Sequence, residues 1–453
     1  MSIRSLLLAS LIGGPVMLVA TAGAQEAIPE EAFTQKSTDE EAPPLAAATE
    51  DTPPSTAVPS EVAESLDRPT PFYKRWIASL FDLGVPTDPY VRDNFKFILG
   101  TSVGYDDNVL YSATNRITSQ TYGVNGSAGY QFGNRRMQVK ANLSGSVNHY
   151  ENRPGGSDDK SYVFTLALQY QWMPRLGVSF QTYSAYLSQP SPQLIGGNFQ
   201  FSGSYFYTDT SLNLNYQVRP RFSVILGYDV SGYKYEDQAI NQNSGYYQQS
   251  FSLSGNWLIS PRTTLILQYR YNPVTYYESD FGSTGQLLLV GIDQNLSPRL
   301  KYELLLGSEY RVLENGAGSS GSSSQLGPYA EGTLNYKFTP RSTLTGSFRL
   351  GSEPSGGSGV TRQTVRAGLS ASHELGSRLS FAVGLGAERD YYDQSGNGAN
   401  FTQDIYSASF SVRYKIALAT SLVLNDNYLS FQSSLPNSSY TRNFISLGLE
   451  ASF

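Results

Sequence analysis

Within the last 13 residues of the chain, 441–453, residues 445–453 alternate strictly between apolar side chains and small or polar ones. Ile445, Leu447, Leu449, Ala451 and Phe453 share one face of an extended strand, and the residues between them share the other. A strand of about 10 residues with one apolar face and an aromatic end is typical of the closing strand of a transmembrane β-barrel. For these residues alone, an edge strand of a soluble β-sandwich is the alternative.

The same alternation recurs from Phe95 onward in blocks of about 10 residues, the signature of membrane-barrel strands. Tight turns interrupt the blocks every 36 to 46 residues, and longer Gly- and Ser-rich loops lie between the turns. Eight such turns separate nine hairpins. The sequence therefore predicts an all-β fold: a single antiparallel transmembrane barrel over residues 95–453, with 18 strands, or 16 as the alternative. Five of the turns contain a Pro-Arg pair, in which proline presets the turn dihedral and cannot donate to a strand ladder: Pro174-Arg175, Pro220-Arg221, Pro261-Arg262, Pro298-Arg299 and Pro340-Arg341.

The amino-terminal residues have the layout of a secretory signal peptide. Arg4 precedes an apolar run over residues 6–20, and Ala-Gly-Ala at 22–24 supplies a small-residue cleavage site. The run is short and is interrupted by Gly-Gly-Pro at 13–15, which disfavours the alternative of a retained membrane anchor. We predict a signal peptide at residues 1–24 and export of the mature chain.

Two further segments precede the predicted barrel. Residues 25–71 are acidic and Pro-rich with almost no aromatic side chains, so we predict a disordered periplasmic spacer, with a docking tail for a periplasmic partner as the alternative. In residues 72–90, apolar side chains recur at helical spacing before Gly84 and Pro86, which predicts a short amphipathic helix and a linker. This helix either packs at the rim or membrane interface, or acts as a plug or gate. Its apolar residues are Phe72, Trp76, Ile77, Leu80 and Phe81.

Few residues favour covalent chemistry. The chain has no cysteine, and its two histidines, His149 and His373, fall toward opposite ends of the predicted barrel, so no Ser-His-carboxylate group is expected. We predict no enzyme, no cofactor and no metal site. No basic stripe or phosphate-binding motif indicates nucleic acid. Three carboxylate pairs near loops lack calcium-loop spacing, and we interpret them as solvated charges: Asp106 with Asp107, Asp158 with Asp159, and Glu388 with Asp390.

The predicted inner face of the barrel is polar. A barrel of about 16 to 18 strands is wide enough to leave an aqueous channel, so we expect a hydrated lumen of mixed charge. The charged candidates for the lumen are Lys140, Arg270, Lys301, Glu303, Arg349, Arg366 and Arg413. The 33 tyrosines crowd the strand ends, as in Tyr246-Tyr247, Tyr276-Tyr277 and Tyr391-Tyr392. We interpret the outward ones as a girdle at the membrane interface, with stacking on sugar rings as the alternative.

The first predicted strand ends in Gly104-Tyr105-Asp106-Asp107-Asn108-Val109. This motif, followed by a chain-long barrel and a final Phe453, resembles the putative beta-barrel porin type 2 family. The resemblance covers roughly residues 95–453. Its one specific motif consists of Tyr105, Asp106, Asp107 and Asn108. It implies an outer-membrane barrel of a kind often associated with exopolysaccharide biosynthesis and export. From the residues themselves we expect Asp106, Asp107 and Asn108 to cap and turn the strand, with sugar contact as the alternative.

Together these features predict a porin-like channel in the Gram-negative outer membrane. Polysaccharide export or solute passage would proceed by diffusion through the lumen. The alternative is a non-conducting anchor that presents its acidic segment to periplasmic partners. Expected partners are outer-membrane lipid and lipopolysaccharide, a polysaccharide or periplasmic export partners, and the outer-membrane assembly machinery, which would recognise Phe453 as a barrel-insertion signal.

Overall fold

The computed structural model describes residues 94–154, 158–188, 204–236, 245–277, 282–314, 323–354, 361–392 and 400–453. The signal peptide, the acidic segment and the helix predicted within 1–90 lie outside these residues. Across the described ranges, no helix is long and apolar enough to span a bilayer.

The described residues form one 18-stranded antiparallel sheet that closes on itself, so the predicted fold and strand number are confirmed. Each strand pairs with its neighbours in sequence, and β1 pairs with both β2 and β18. Closure removes the free sheet edges that lipid cannot solvate. The strands are β1 Asn94–Asp106, β2 Ser119–Gly133, β3 Met137–Tyr150, β4 Asp158–Met173, β5 Leu176–Leu187, β6 Tyr205–Arg219, β7 Phe222–Tyr235, β8 Tyr246–Ser260, β9 Thr263–Tyr276, β10 Gly282–Ser297, β11 Leu300–Glu314, β12 Ser323–Thr339, β13 Ser342–Pro354, β14 Thr361–Leu375, β15 Leu379–Tyr392, β16 Phe401–Ala417, β17 Thr420–Ser433 and β18 Tyr440–Ser452.

The alternating sequence separates the two faces of the wall. On β10, Leu288 and Val290 are exposed on the outer surface, whereas Leu287 and Leu289 are buried on the inner side. On β18, Ile445, Leu447 and Leu449 lie on the exposed face with Phe453, as their spacing predicts. Because strand side chains alternate, the exposed apolar residues identify the outer face and their sequence neighbours the inner face.

The short turns lie at one rim, here called the short-turn end. The Pro-Arg turns each connect two strands through two residues, as between β4 and β5. The backbone carbonyl of each turn arginine accepts a hydrogen bond from a backbone amide of the following hairpin: Arg175 from Gln217 at 2.8 Å and Arg299 from Lys337 at 2.8 Å are examples. Equivalent bonds are made by Arg136, Arg221, Arg262, Arg341 and Arg378. The repeated turn therefore fastens neighbouring hairpins to each other at this rim.

The wall loosens at the opposite rim, the long-loop end, between β12 and β13. Their ladder runs from the short turn only as far as the pair Ala330 and Leu350. Beyond it, residues 323–329 of β12 pair with β11 alone, and residues 351–354 of β13 pair with β14 alone. Side chains of β11 bridge this break, which we call the β12–β13 gap. The Ser352 amide donates to the Glu309 carboxylate, and Arg311 Nη2 donates to the Ser352 carbonyl, both at 3.1 Å.

Candidate functional site

The inner face of the barrel is the candidate site, because it is where a solute would pass. All seven charged lumen candidates lie on this face. On β9, for example, Arg270 shares its face with buried Gln268, whereas Leu267 and Tyr269 are exposed on the other. Lys301 faces Asp293 at 3.7 Å, and Arg413 pairs with Glu450 at 2.8 Å. Lys140 shares the inner face of β3 with Asn142 and Ser144, since Leu143 and Val147 point outward.

Ten buried or half-buried charged side chains on β9 and β11–β15 form what we call the ionic wall. Arg362 is its centre. Its exposed fraction is 2%, and it contacts Glu353 at 3.1 Å, Glu388 at 3.2 Å and Asp390. The wall comprises Arg270, Arg311, Arg349, Arg362, Arg366, Glu309, Glu331, Glu353, Glu388 and Asp390.

Strand register explains how the ionic wall forms. Arg366 lies opposite Arg349 on β13 and opposite Glu388 on β15, so all three point inward together. Arg366 Nε donates to Glu388 at 2.6 Å, and Arg349 pairs with Glu353 at 3.3 Å. Five arginines and five carboxylates balance, so the wall offers many hydrogen-bond donors and acceptors without a net charge. Removing ions from water is favourable only with such pairing.

Arg270 connects the ionic wall to β9. It donates to Glu331 and, at 3.1 Å, to the hydroxyl of Tyr329, both on β12. The Tyr329 hydroxyl donates to the same carboxylate at 2.6 Å. β10 and β11 separate β9 from β12 in the sheet, so these contacts span the curved interior. Next to them lies an apolar cluster on the inner face, formed by Ile266, Leu287, Leu289, Leu305 and Tyr329. The lumen is therefore not uniformly polar.

Seven inward tyrosines on β5–β9 form a second surface, the tyrosine wall, toward the long-loop end. They are Tyr183, Tyr205, Tyr207, Tyr233, Tyr235, Tyr246 and Tyr276. The girdle is predicted for outward tyrosines only, and Tyr246, Tyr276 and Tyr392 are instead buried on the inner side. Tyr391 is exposed on the outer face. Adjacent residues of a strand point to opposite faces, so one ring of each Tyr-Tyr pair must point inward. The sequence therefore already indicated tyrosines on the inner face.

The tyrosine wall and the ionic wall approach each other across the lumen. The charges of Glu353 and Arg362 act on the hydroxyl of Tyr246, and that of Arg362 also acts on Tyr233. Four strands separate β8 from β13, and six separate β7 from β14. An electrostatic contact over so many strands must run through the interior. Aromatic rings therefore lie on one side of the interior and charged groups on the other.

A third cluster joins the first and last strands, and the family motif builds it. Asp106 has no exposed surface, and its carboxylate accepts two hydrogen bonds from Arg442 on β18, from Nε at 2.9 Å and from Nη2 at 2.5 Å. Asp107 accepts from the Asn443 amide at 2.6 Å. The Asn108 side chain donates to the carbonyl of Thr441 at 2.9 Å, and the Asn108 backbone amide donates to the Asp106 carboxylate at 3.0 Å. The motif thus fastens β1 to β18 besides turning the chain.

Tyr111 completes this seam cluster from the loop between β1 and β2. Its backbone φ is +52°, a strained value for a bulky side chain, and its ring lies 4.5 Å from the Arg442 guanidinium. The Tyr111 hydroxyl is hydrogen-bonded to Arg442 Nη1. Burial raises the pKa of the Tyr111 phenol to about 12. The phenol is therefore neutral at physiological pH.

The interpretation of the loop carboxylates as solvated charges is wrong for most of them. Asp106, Asp159, Glu388 and Asp390 are buried and ion-paired. Arg442 stands 336 positions from Asp106, and Arg362 stands 28 from Asp390, so local sequence did not reveal these pairs. The partner of Asp159 is Arg153, in the adjoining loop. Asp158 is exposed and bonds His149 at 2.8 Å.

The two histidines occupy separate places. His149 lies at the long-loop end of β3, and His373 lies near the short-turn end of β14, 2.7 Å from Ser342. In the residues that the structure describes, no group of three or more His, Cys, Asp or Glu side chains is placed to hold a metal ion.

The family model described as "Putative beta-barrel porin 2" matches residues 320–453, which contain β12–β18, and confirms the resemblance predicted from the sequence. No curated protein matches the chain.

Solved structures similar in fold include those of three bacterial proteins. OpdK from Pseudomonas aeruginosa is 10% identical, with 80% of this chain and 99% of that one covered and a TM-score of 0.41. OccK2 (OpdF) from the same organism is 11% identical, with 80% and 98% covered and a TM-score of 0.43. OccAB4 from Acinetobacter baumannii is 12% identical, with 80% and 99% covered and a TM-score of 0.41.

The closed antiparallel barrel, its apolar outer face and the family match define a porin-like outer-membrane β-barrel.

Proposed function

We propose that this protein is a channel through which a polysaccharide crosses the outer membrane by diffusion, without covalent chemistry. The observation that carries the proposal is the contrast between the two faces of one closed wall, apolar outside and largely polar inside. A polysaccharide is proposed as the solute because the family that the chain resembles is often associated with exopolysaccharide export. Residues 1–24 would export the chain, and Phe453 would present it to the assembly machinery. Lipid and lipopolysaccharide would surround the barrel.

The interior chemistry supports a solute rich in hydroxyl groups. The ionic wall presents balanced donors and acceptors, and Asn213, Asn215, Asn256 and Gln268 add neutral amides to the inner face. Sugar hydroxyls both donate and accept hydrogen bonds, so they can exchange partners along such a surface. A channel with a strong net charge would instead favour ions of the opposite sign.

Single-channel conductance of the refolded protein in a planar bilayer tests the channel. The full mature chain is compared with one that lacks residues 25–90. Steady conductance from both would support an open diffusion pore and make the deleted segment a tether. Conductance from the truncated chain alone would support the channel and make the predicted helix its gate. Silence from both, with folding verified by heat-dependent gel mobility, would contradict the proposal.

Polysaccharide secretion by a deletion strain tests the solute. Loss of secreted polymer, restored by the wild-type gene, is expected. Unchanged secretion would contradict the polysaccharide assignment even if the protein conducts ions.

A non-conducting anchor is the second candidate. It is favoured by the burial of inner-face groups such as Arg362, Thr364 and Asp390, which neighbouring groups cover. In this role the acidic segment would capture periplasmic partners. Specific capture of a periplasmic protein by immobilised residues 25–90, together with a silent barrel, would support the anchor.

A further inference from the structure

We infer that the tyrosine wall is a binding subsite for an uncharged sugar unit, placed at the long-loop end of the lumen. The inference rests on the proposed function, because such a subsite would lie on the path of a polysaccharide and would bind one sugar unit of the polymer.

The rings pack into one continuous aromatic cluster on the inner face of the barrel. Tyr233 is central: its ring centroid lies 4.9 Å from that of Tyr246 and 5.5 Å from that of Tyr235. Tyr205 continues the surface at 5.6 Å from Tyr235, and Tyr276 continues it at 5.8 Å from Tyr246. All four of these pairs are tilted or edge-on. Aromatic faces carry partial negative charge, and the C–H groups on one side of a sugar ring carry partial positive charge, so the two surfaces attract.

Two hydroxyls of this surface lack partners. The side chains of Tyr205 and Tyr233 are 1% and 3% exposed, and neither hydroxyl has a hydrogen-bond partner among the described residues. A phenol is both a donor and an acceptor, and leaving it unpaired in a buried place is unfavourable. A ligand with many hydroxyl groups would satisfy both.

The opposite side of the lumen determines the charge of the ligand. Glu353 and Arg362 act on Tyr246 from across the interior, and they belong to a wall with equal numbers of arginines and carboxylates. A uronate or another anion would meet Glu353 as well as Arg362, so it gains no net attraction. An uncharged sugar gains hydrogen bonds from both kinds of group. A sugar unit in this place would have the tyrosine wall on one side, against its C–H groups, and the ionic wall on the other, against its hydroxyl groups.

The experiment measures sugar binding and conductance on the same preparation of detergent-refolded full mature chain. The probes are maltohexaose, an uncharged linear glucose oligosaccharide, and a galacturonate oligosaccharide of the same length, each titrated by calorimetry. We expect maltohexaose to bind and the galacturonate oligosaccharide to bind at least about tenfold more weakly, because its carboxylates would lose water without gaining a net attraction from the balanced ionic wall. Binding of neither sugar, or stronger binding of the charged one, would overturn the subsite. Conductance without sugar binding would leave the proposed channel standing and remove the subsite alone.

Matched variants distinguish the contribution of the tyrosine ring to sugar binding from that of its hydroxyl. Tyr233→Phe keeps the ring and should weaken maltohexaose binding about fivefold, the usual effect of one lost hydrogen bond. Tyr233→Leu should weaken it further. Tyr269→Leu, which removes an outward-facing ring on β9, is the control and should leave binding unchanged. Equal affinity in wild type, Tyr233→Phe and Tyr205→Phe would overturn the proposal even if Tyr233→Leu fails to fold.

Discussion

Arg442 on the last strand clasps the carboxylate of Asp106 at the end of the first strand, through hydrogen bonds of 2.9 and 2.5 Å. The two residues are 336 positions apart in the chain. Their pairing shows that the family motif acts at the point where the barrel closes, because β1 and β18 must meet before it can form.

Replacing Asp106 by Asn should destabilise the barrel by about 3–5 kcal/mol, because it leaves the buried Arg442 charge without its partner. The measurement is urea unfolding in detergent, followed by tryptophan fluorescence. Asp107→Asn is the control, since its amide oxygen can still accept from Asn443, and it should change stability by less than about 1 kcal/mol. Equal losses in the two variants would contradict the role assigned to the Asp106–Arg442 pair.

Removing single charges from the ionic wall should change ion selectivity in opposite directions. Arg366→Gln leaves an excess negative charge and should favour cations, whereas Glu353→Gln leaves an excess positive charge and should favour anions. A unit charge about 4 Å from a passing ion changes its free energy by about 1 kcal/mol in water, or about fivefold in relative permeability. The reversal potential across a KCl gradient measures this shift. Shifts of the same sign in both variants would show that the wall does not face the conducting path.

Stability above pH 10 should depend on Tyr111. Burial raises the pKa of its phenol to about 12, whereas an unfolded tyrosine titrates near 10. The folded state thus favours the protonated phenol, and its contribution is complete below about pH 10 and is lost as pH rises toward about 12. Two pKa units correspond to roughly 3 kcal/mol.

Tyr111→Phe cannot ionise and should lose less stability between pH 10 and 12 than wild type does. Unfolding midpoints measured at several pH values make the comparison. Tyr269→Phe, on the outer surface, serves as the control. Parallel pH curves for wild type and Tyr111→Phe would refute the assignment.

Phe453 should matter for assembly more than for the finished barrel. Its ring is 71% exposed, but its backbone makes two hydrogen bonds with Phe97 that any residue could make. Phe453→Ser should therefore lower the amount of folded protein in the outer membrane severalfold, while the stability of protein refolded in vitro changes by less than about 1 kcal/mol. Leu447→Ser tests the outer face of the same strand. Equal effects of Phe453→Ser on assembly and on in vitro stability would argue against a recognition role.

The sequence was sufficient to predict the strands of the barrel wall, but it was insufficient to predict which side chains pair inside the lumen. Alternation and the Pro-Arg turns depend on residues next to each other, so they specified 18 strands and the faces of Arg270 and Arg366. Partnerships inside the lumen depend on closure. Nothing near Asp106 in the chain indicates Arg442, and nothing near Tyr246 indicates Arg362. The inward tyrosines could have been predicted from the face pattern alone, had the Tyr-Tyr pairs been divided between the two faces.

The two rims of the barrel differ in how firmly the wall is held. At the short-turn end, turn carbonyls such as those of Arg175 and Arg299 bind the next hairpin. At the long-loop end, the β12–β13 ladder stops at Ala330 and Leu350, and side-chain contacts such as those of Glu309 and Arg311 with Ser352 cross the β12–β13 gap instead. Deformation should therefore concentrate there, since widening the gap breaks no ladder hydrogen bond. The barrel is therefore rigid at its short-turn end, whereas its long-loop end can widen at the β12–β13 gap. Such widening would admit a solute of larger diameter without unpairing a strand.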